Sequence, residues 1–440
     1  MPSIEGPACL PAEQLPASAC SVAPKAHRTG RQSRPPSSFP IQTGIAMARK
    51  PSLARWCSLS LAALIAACGG GGGGSSPANP ANPASVAIAF AGPEAETVHS
   101  VGSPLSLSAR VTVNGADAAD GTPVNFAASP GTFSATGTTR SGVATVAFSG
   151  TVPGRQQLSA SVAVPSGSSA TATAKATRIM YLRPVPASLE VLVPAYFHPS
   201  SGTEWARLAA GAAAHPGVAV TAIMNPNNGE FTSAEAAYTN ALGTFVAAGG
   251  KVVGYVYTGY GARSLAAVKA NIDAYFALYG RAAISGIFLD EMSSDAAKLS
   301  GYREIYAYIK AKGADLRVIG NPGRVPDTAD YATVADVLVT FEDRNSTYAA
   351  YDPRTTPWLY TLPNNRQSSL VHDTATCVDM VKALQSAGSP IYNAGLVYMT
   401  DLQYDPVRNI GNPWASLPSY WTALLQTVAA MNQGRPPPAC

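Results

Sequence analysis

The chain has 440 residues, 46% of them hydrophobic and only 13% charged, with 39 Gly and 36 Pro. A charged share about half the usual one argues against a coiled coil, a nucleic-acid binder and an acidic disordered chain. The formal charge of +4 is concentrated at the start: positions 1–67 hold seven Lys/Arg and two Glu, leaving 23 basic and 24 acidic residues in the remainder. No basic patch for nucleic acid or anionic lipid is therefore expected.

Residues 1–46 are Pro/Ser-rich and without periodicity, and read as translation upstream of a true start at Met47. Arg49, Lys50 and Arg55, then an apolar run at 59–67, then Cys68, have the layout of a secretory signal. The run is too short to span a bilayer as a mature helix. Its end, LIAAC at 64–68, resembles a bacterial lipobox, whose cysteine is lipidated and becomes the mature N-terminus; an ordinary signal peptide with a chance Cys is the alternative. The expectation is a misassigned start plus lipoprotein signal over 1–67, export to the bacterial cell envelope, and a membrane anchor on Cys68. Of six cysteines, Cys377 and Cys440 then remain; they can pair in an oxidising compartment or stay free, and the sequence leaves that open.

A Gly/Ser/Pro linker fills 68–85. From 86 to 178, short alternating segments at 86–90, 105–113, 123–127, 142–148 and 157–164 are separated by Ser/Thr/Gly-rich turns, the pattern of an antiparallel sandwich. The stretch DGTPVNFAASPGTFSATGTTRSGVATVAFSG at 120–150 resembles bacterial immunoglobulin-like domains of the invasin type. It holds no titratable cluster and reads as a spacer or adhesion module.

From 188 to 432 apolar strands alternate with helical stretches, ahead of a tail at 433–440. Strands are predicted at 189–194, 218–224, 251–257, 284–290, 316–321, 337–341, 369–372 and 396–400. Helices are predicted at 233–248, 265–279, 296–311, 374–387 and 416–431, where apolar residues recur at three- and four-residue steps. Eight repeats in about 250 residues is the count and length of a (β/α)8 TIM barrel, with repeats five to seven the least regular. The fold class is thus α/β, a TIM barrel behind an all-β immunoglobulin-like sandwich. An open doubly wound sheet is the alternative, though no Gly-rich nucleotide turn follows the first strand.

Function in such a barrel gathers at the C-terminal ends of the strands. Those ends carry Tyr196 and His198, Asn225, Tyr257 and Tyr260, Asp290 and Glu291, Asn321, Glu342 and Asp343, His372, and Asp401. The rim is polar and aromatic although the domain is poor in charge. GIFLDE at 286–291 is the sharpest element: a buried strand with two carboxylates at its exit, the alternative being a loop start or helix cap. VTFED at 339–343 ends the same way. Carboxylates two strands apart suit glycosidic cleavage, one oxygen protonating the leaving group and another attacking the sugar or activating water.

GIFLDE, the opening VLVPAYFHP, TAIMNPNNG after the second strand, GYVYTGYGAR after the third and the later FED together resemble the spherulin-4 (spherulation-specific family 4) domain over most of 188–432. The resemblance implies an endo-acting glycoside hydrolase on galactosamine-containing exopolysaccharide of the biofilm-matrix type, similar to alpha-1,4-galactosaminidases. It implies Asp290 as nucleophile, Glu342 as general acid/base and Glu291 as the supporting acid. Tyr196, His198, Asn225, Tyr257 and Tyr260 would line sugar subsites. Asn321, His372 and Asp401 are further candidates for substrate contact, with roles at the last two strands left open. Tyr196, Tyr257, Tyr260, Trp358, Tyr398 and Trp414 are candidates to stack on sugar faces, and rim carboxylates would attract a cationic, partly deacetylated polymer. Retention of anomeric configuration is the expectation.

There is no GxSxG elbow, no HExxH and no CxxC pair, and the four His that follow Cys68, at 99, 198, 215 and 372, are too scattered for a zinc site. No cofactor or metal is expected, and the partners are a polysaccharide and a membrane, not nucleic acid, with the chain a monomer. The competing reading is a catalytically inactive, carbohydrate-binding surface lipoprotein.

Overall fold

A computed structural model describes residues 84–166, 170–201 and 204–440. The leader, Cys68 and most of the linker fall outside the described residues. The β-rich N-terminal region holds β1 (Val86–Gly92), β2 (Val98–Ser100), β3 (Leu105–Val113), β4 (Ala116–Asp117), β5 (Pro123–Ser129), β6 (Ser134–Arg140), β7 (Val143–Phe148), β8 (Gly154–Ser166) and β9 (Ala170–Arg183). They form one hydrogen-bonded path, β1-β3-β7-β6-β5-β8-β9-β2, with β4 beside β3. The path curls until its ends meet: the Arg178 guanidinium on β9 donates to the Phe90 carbonyl on β1 at 3.0 Å, and the Phe90 ring lies edge-on to Phe126 of β5 at 6.4 Å. Leu107, Val111, Val124, Phe126, Leu158 and Met180 are buried between the two halves. All five predicted strands are present, but β2, β4, β6 and β9 were not anticipated, and β9 runs five residues beyond the expected boundary at 178.

The second region closes into a barrel of eight parallel strands: β10 (Glu190–Ala195), β11 (Val220–Met224), β12 (Lys251–Tyr257), β13 (Gly286–Asp290), β14 (Arg317–Gly320), β15 (Val337–Arg344), β16 (Gln367–His372) and β17 (Leu396–Met399), with β17 pairing back on β10. Their almost unbroken apolar runs reflect burial on both faces. The helices are α1 (Glu204–Ala214), α2 (Ala236–Ala247), α3 (Leu265–Tyr279), α4 (Leu299–Lys312), the single turn α5 (Asn345–Tyr348), α6 (Cys377–Gly388) and α7 (Trp421–Asn432). Ser264 caps α3 by accepting from the Ala267 amide. The fifth connection is only a 3-10 turn, Ala329–Thr333, in a short stretch interrupted by Pro322 and Pro326. The sixth is α5 and three further 3-10 turns. The seventh, counted among the least regular repeats, carries the full helix α6 where a helix was predicted at 374–387.

The two regions are packed together near the segments that lead into β16 and β17. Tyr181 and Tyr360 stack obliquely at 4.9 Å in a separate apolar cluster with Val98, Ile179 and Ile391. Arg354 donates to the Glu96 carbonyl at 3.2 Å, and Arg183 to the Ser389 carbonyl and Asn393 Oδ1, both at 3.3 Å. These contacts lie toward the strand-start end of the barrel, away from the carboxylates described next. Cys377, at the start of α6, and Cys440 are joined by a disulfide, which answers the question their sequence positions left open.

Candidate active site

Strand alternation aims the chemistry. In β13 every residue is buried, and Phe288 and Asp290 share a face, so the carboxylate follows a core ring at the top of the barrel. Asp290 is 1% exposed and lies in register with Tyr257 of β12. Its carbonyl accepts from the Thr258 amide at 2.9 Å, which ties the exits of β12 and β13 together. Asn321 follows β14, and its amide is bonded to the Leu289 carbonyl at 2.8 Å.

Glu342 arrives by a different device. The β15–β16 register pairs Val339 with Ser368 and Phe341 with Ser369, so Thr340 is an extra residue, a bulge. Beyond it, Glu342 pairs with Leu370 and shares the face of Val339 rather than that of Leu338 and Thr340. The loop after β14 secures this exit, the Glu342 amide donating to the Gly323 carbonyl at 3.0 Å.

The two carboxylates meet at one side chain. Asn321 Nδ2 donates to Asp290 Oδ1 at 2.8 Å and to Glu342 Oε2 at 2.6 Å. Those oxygens are therefore no farther apart than the sum of the two lengths, 5.4 Å. Asn321 Oδ1 accepts from the Gly323 amide at 2.9 Å, which fixes which end of the amide faces the pair. Asp290 also interacts with the Tyr255 hydroxyl and the Glu291 amide. Its second oxygen, Oδ2, is buried without a partner of hydrogen-bond geometry.

Burial raises the proton affinity of both carboxyls. Glu342, partly covered, is pushed up to about 7, first by desolvation and then by the Asp290 charge, while Asn321 and Trp414 hydrogen bonds pull the other way. Asp290 is also raised by desolvation, against donors from Tyr255, Glu291 and Asn321 that stabilise its ionised form. Near neutral pH the pair is thus disposed to hold one proton, with Glu342 the better place for it. Glu291 is raised by burial and by Asp290, with the Gly259 amide and the Arg263 charge opposing.

Tyrosines wall the pair. Tyr196 stands edge-on to Tyr255 at 5.4 Å and feels the charge of both carboxylates. Tyr260, 45% exposed, is raised to about 12 by burial and by Glu291, Asp290 and Glu342. Its φ of 54° and that of Glu291, 48°, lie in the left-handed region, strain of a kind that collects at working sites. Tyr257 donates to Glu230 Oε1 at 2.8 Å, and Arg263 donates to the same oxygen at 3.1 Å while lying over the Tyr257 ring. Below them, Gly229 has φ +76° and a Cβ there would sit 2.4 Å from the Tyr255 carbonyl oxygen, so only glycine fits.

The other candidates have different surroundings. Asn225 keeps a buried Oδ1 without a partner. His198 is bonded to Ser200 and Glu235 at 2.6 and 2.8 Å. His372 is 2% exposed, beside Trp414 and Tyr404, and burial lowers its proton affinity despite Asp373 and Asp343. Asp401 Oδ1 accepts from the Ser419 amide at 3.1 Å, bracing the turn before α7. Tyr398 and Trp414, read from sequence as stacking candidates, are buried at 0% and 2% exposure; Trp414 instead bonds to Glu342. Tyr255 escaped sequence reasoning because inside an apolar strand it reads as core. The signal that pointed to it is alternation, two residues before the rim residue Tyr257. Among the described residues no group of three His, Cys, Asp or Glu is placed to hold a metal ion, and no helix is long and apolar enough to cross a membrane.

The family model for "Spherulation-specific family 4" matches residues 190–428, the whole barrel and its site. Spherulin-4 of Physarum polycephalum is 35% identical over 226 residues, which cover 48% of this chain and 63% of that protein. Among solved structures, Aspergillus clavatus Sph3 in complex with GalNAc is 26% identical with a TM-score of 0.48, over 55% of this chain and 98% of that one. A family 39 glycoside hydrolase from Bacteroides cellulosilyticus WH2 is 11% identical with a TM-score of 0.37, over 77% of this chain and 82% of that one. With more than half its length matched, and with Asp290, Asn321 and Glu342 inside the match, this chain belongs to the spherulation-specific family 4.

Proposed function

We propose that the chain is a retaining glycoside hydrolase that cleaves galactosamine-containing exopolysaccharide internally. The observation that carries this reading is the spacing of its two carboxylates, whose nearest oxygens lie within 5.4 Å. Retaining glycosidases hold the pair about 5–5.5 Å apart, whereas inverting ones need about 6.5–9.5 Å to admit a water. Oδ2 of Asp290, buried and unpartnered, is the oxygen for attack on the anomeric carbon. As that bond forms, the glycosidic C–O bond breaks and Glu342 passes its proton to the departing oxygen. Water then attacks the anomeric carbon of the glycosyl ester and gives a proton to Glu342, and Asp290 leaves as carboxylate.

Tyr196 and Tyr260 offer ring faces to the sugar, and the Asn225 Oδ1 can accept from a sugar hydroxyl or amide. Glu291 and Asp343 supply negative charge for the ammonium of a deacetylated residue. Export and a lipid anchor on Cys68 complete the proposal, and the disulfide between Cys377 and Cys440 suits an oxidising envelope compartment.

The test is release of reducing ends from partly deacetylated galactosamine polymers by the wild-type chain, with proton NMR of the first product. Product of unchanged anomeric configuration is expected. Inverted product overturns the mechanism, and binding without release returns the chain to the carbohydrate-binding reading.

A further inference from the structure

Asn321 was a candidate for substrate contact, yet its polar atoms are already engaged. Both hydrogens of its amide are given to carboxylates, one to Asp290 and one to Glu342, and its oxygen is taken by the Gly323 amide. The residue is 5% exposed, so water does not compete for these bonds. We propose that Asn321 is a positioning residue of the hydrolytic site, a rigid planar spacer that sets the separation of Asp290 and Glu342 and holds both in their working orientation. This rests on the two-carboxylate reading above.

Three features give the spacer its stiffness. The amide is planar, so its two N–H directions diverge by a fixed angle of about 120°. The backbone on either side is pinned, the Asn321 amide to Leu289 and its carbonyl to the Met292 amide. The loop that accepts the spacer's other end, Gly323, also receives the Glu342 amide. Asn321 thereby connects the exits of β13, β14 and β15, and a shift of any one is felt at both carboxylates.

The spacer is also electrostatic. An amide N–H stabilises the ionised form of whichever carboxyl it serves, so it eases two like charges into one buried space. The titratable groups facing the pair are Tyr196 from the β10 exit, Tyr255 from β12, Tyr260 and Glu291 from the neighbouring loops, and Asp343 beside Glu342. The three tyrosines stay neutral through the working range, since all three are raised.

The experiment compares the full-length wild type with Asn321→Ala and Asn321→Asp. Asn321→Asp keeps the oxygen that Gly323 binds and replaces only the donor, so it preserves the loop if alanine does not. Two readouts are needed. Carbon-13 titration of the side-chain carboxyls, without substrate, should show the Glu342 midpoint move to higher pH by about 0.5–1 in the alanine variant, and by more in the aspartate variant. The pH–rate profile on galactosamine polymer should move its alkaline limb the same way, with kcat down about 10–100-fold and KM changed little. An unmoved midpoint in a folded variant, or a raised KM with kcat and limbs intact, overturns the proposal and returns Asn321 to substrate contact. If the midpoint moves but the wild type releases no reducing ends, the spacer stands and the hydrolase reading falls.

Discussion

Asp290 and Glu342 lie on strands two apart in the barrel, yet they accept from one nitrogen, Asn321 Nδ2. Two buried carboxyls that close to one another share their protonation. That relationship, rather than the presence of either acid, gives the site a chemical direction. The proton is favoured on Glu342, pushed up to about 7 by burial and the Asp290 charge, and the ionised form on Asp290, which has donors from Tyr255, Glu291 and Asn321.

Removing either group should therefore abolish turnover by different routes. Asp290→Asn should lose about 10,000-fold or more in kcat/KM, because no nucleophile remains. Glu342→Gln should lose about 100–10,000-fold on the natural polymer and far less on a substrate whose leaving group needs no proton. Chromogenic galactosaminides of graded leaving-group acidity would measure this. Equal losses across that series would rule out the acid role.

The pH profile should fall on the alkaline side as Glu342 loses its proton, near pH 7. Stability carries the same signature. Glu342 titrates at about 7 in the folded chain against 4.5 ordinarily. A carboxyl raised by folding contributes stability that is complete below the lower value and is lost as pH rises through the upper one. Thermal melts from pH 5 to pH 8 should show a decline in Tm that Glu342→Gln removes, leaving the variant the more stable protein at pH 8.

The seam between the two regions should be a stability element. Tyr360 is fully buried against Tyr181 and donates to the Ile391 carbonyl, so Tyr360→Ala should cost about 3–5 kcal/mol. Denaturant melts of the full chain would show it. A barrel whose midpoint ignores this change would not depend on its N-terminal partner.

The disulfide closes a loop across a sequence separation of 63. Chain-entropy reasoning gives about 4 kcal/mol for such a closure, with 2–4 kcal/mol typical of measured cases. Cys440→Ser should lower Tm in oxidised protein and leave reduced protein unchanged.

Much of this was legible beforehand where composition and period agree. The barrel strands are apolar runs of the right length, and Asp290 was visible as a carboxylate ending one of them. The strands β6 and β9 were not, because SATGTTR and ATATAKATR are built from the Ser, Thr, Gly and Ala that also make turns. Tyr255 and Trp414 were misjudged for the converse reason: buried aromatic residues look alike whether they fill space or hold a proton donor against an acid. The link from Asn321 to two acids depends on distances between three strands, which no one-dimensional pattern records.

The bulge at Thr340 makes the acid a matter of parity. From Val337 to Glu342 the strand needs an odd correction to bring that one carboxyl to the inner face. Flattening the bulge, with Thr340 drawn into the ladder opposite Ser369, would leave every catalytic side chain in the gene and the eight strands intact, but would turn Glu342 outward. A one-residue change of register is thus a short route from an active barrel to a silent one, and a family member's chemistry has to be judged by the register of this strand on its neighbour as well as by which acids it retains.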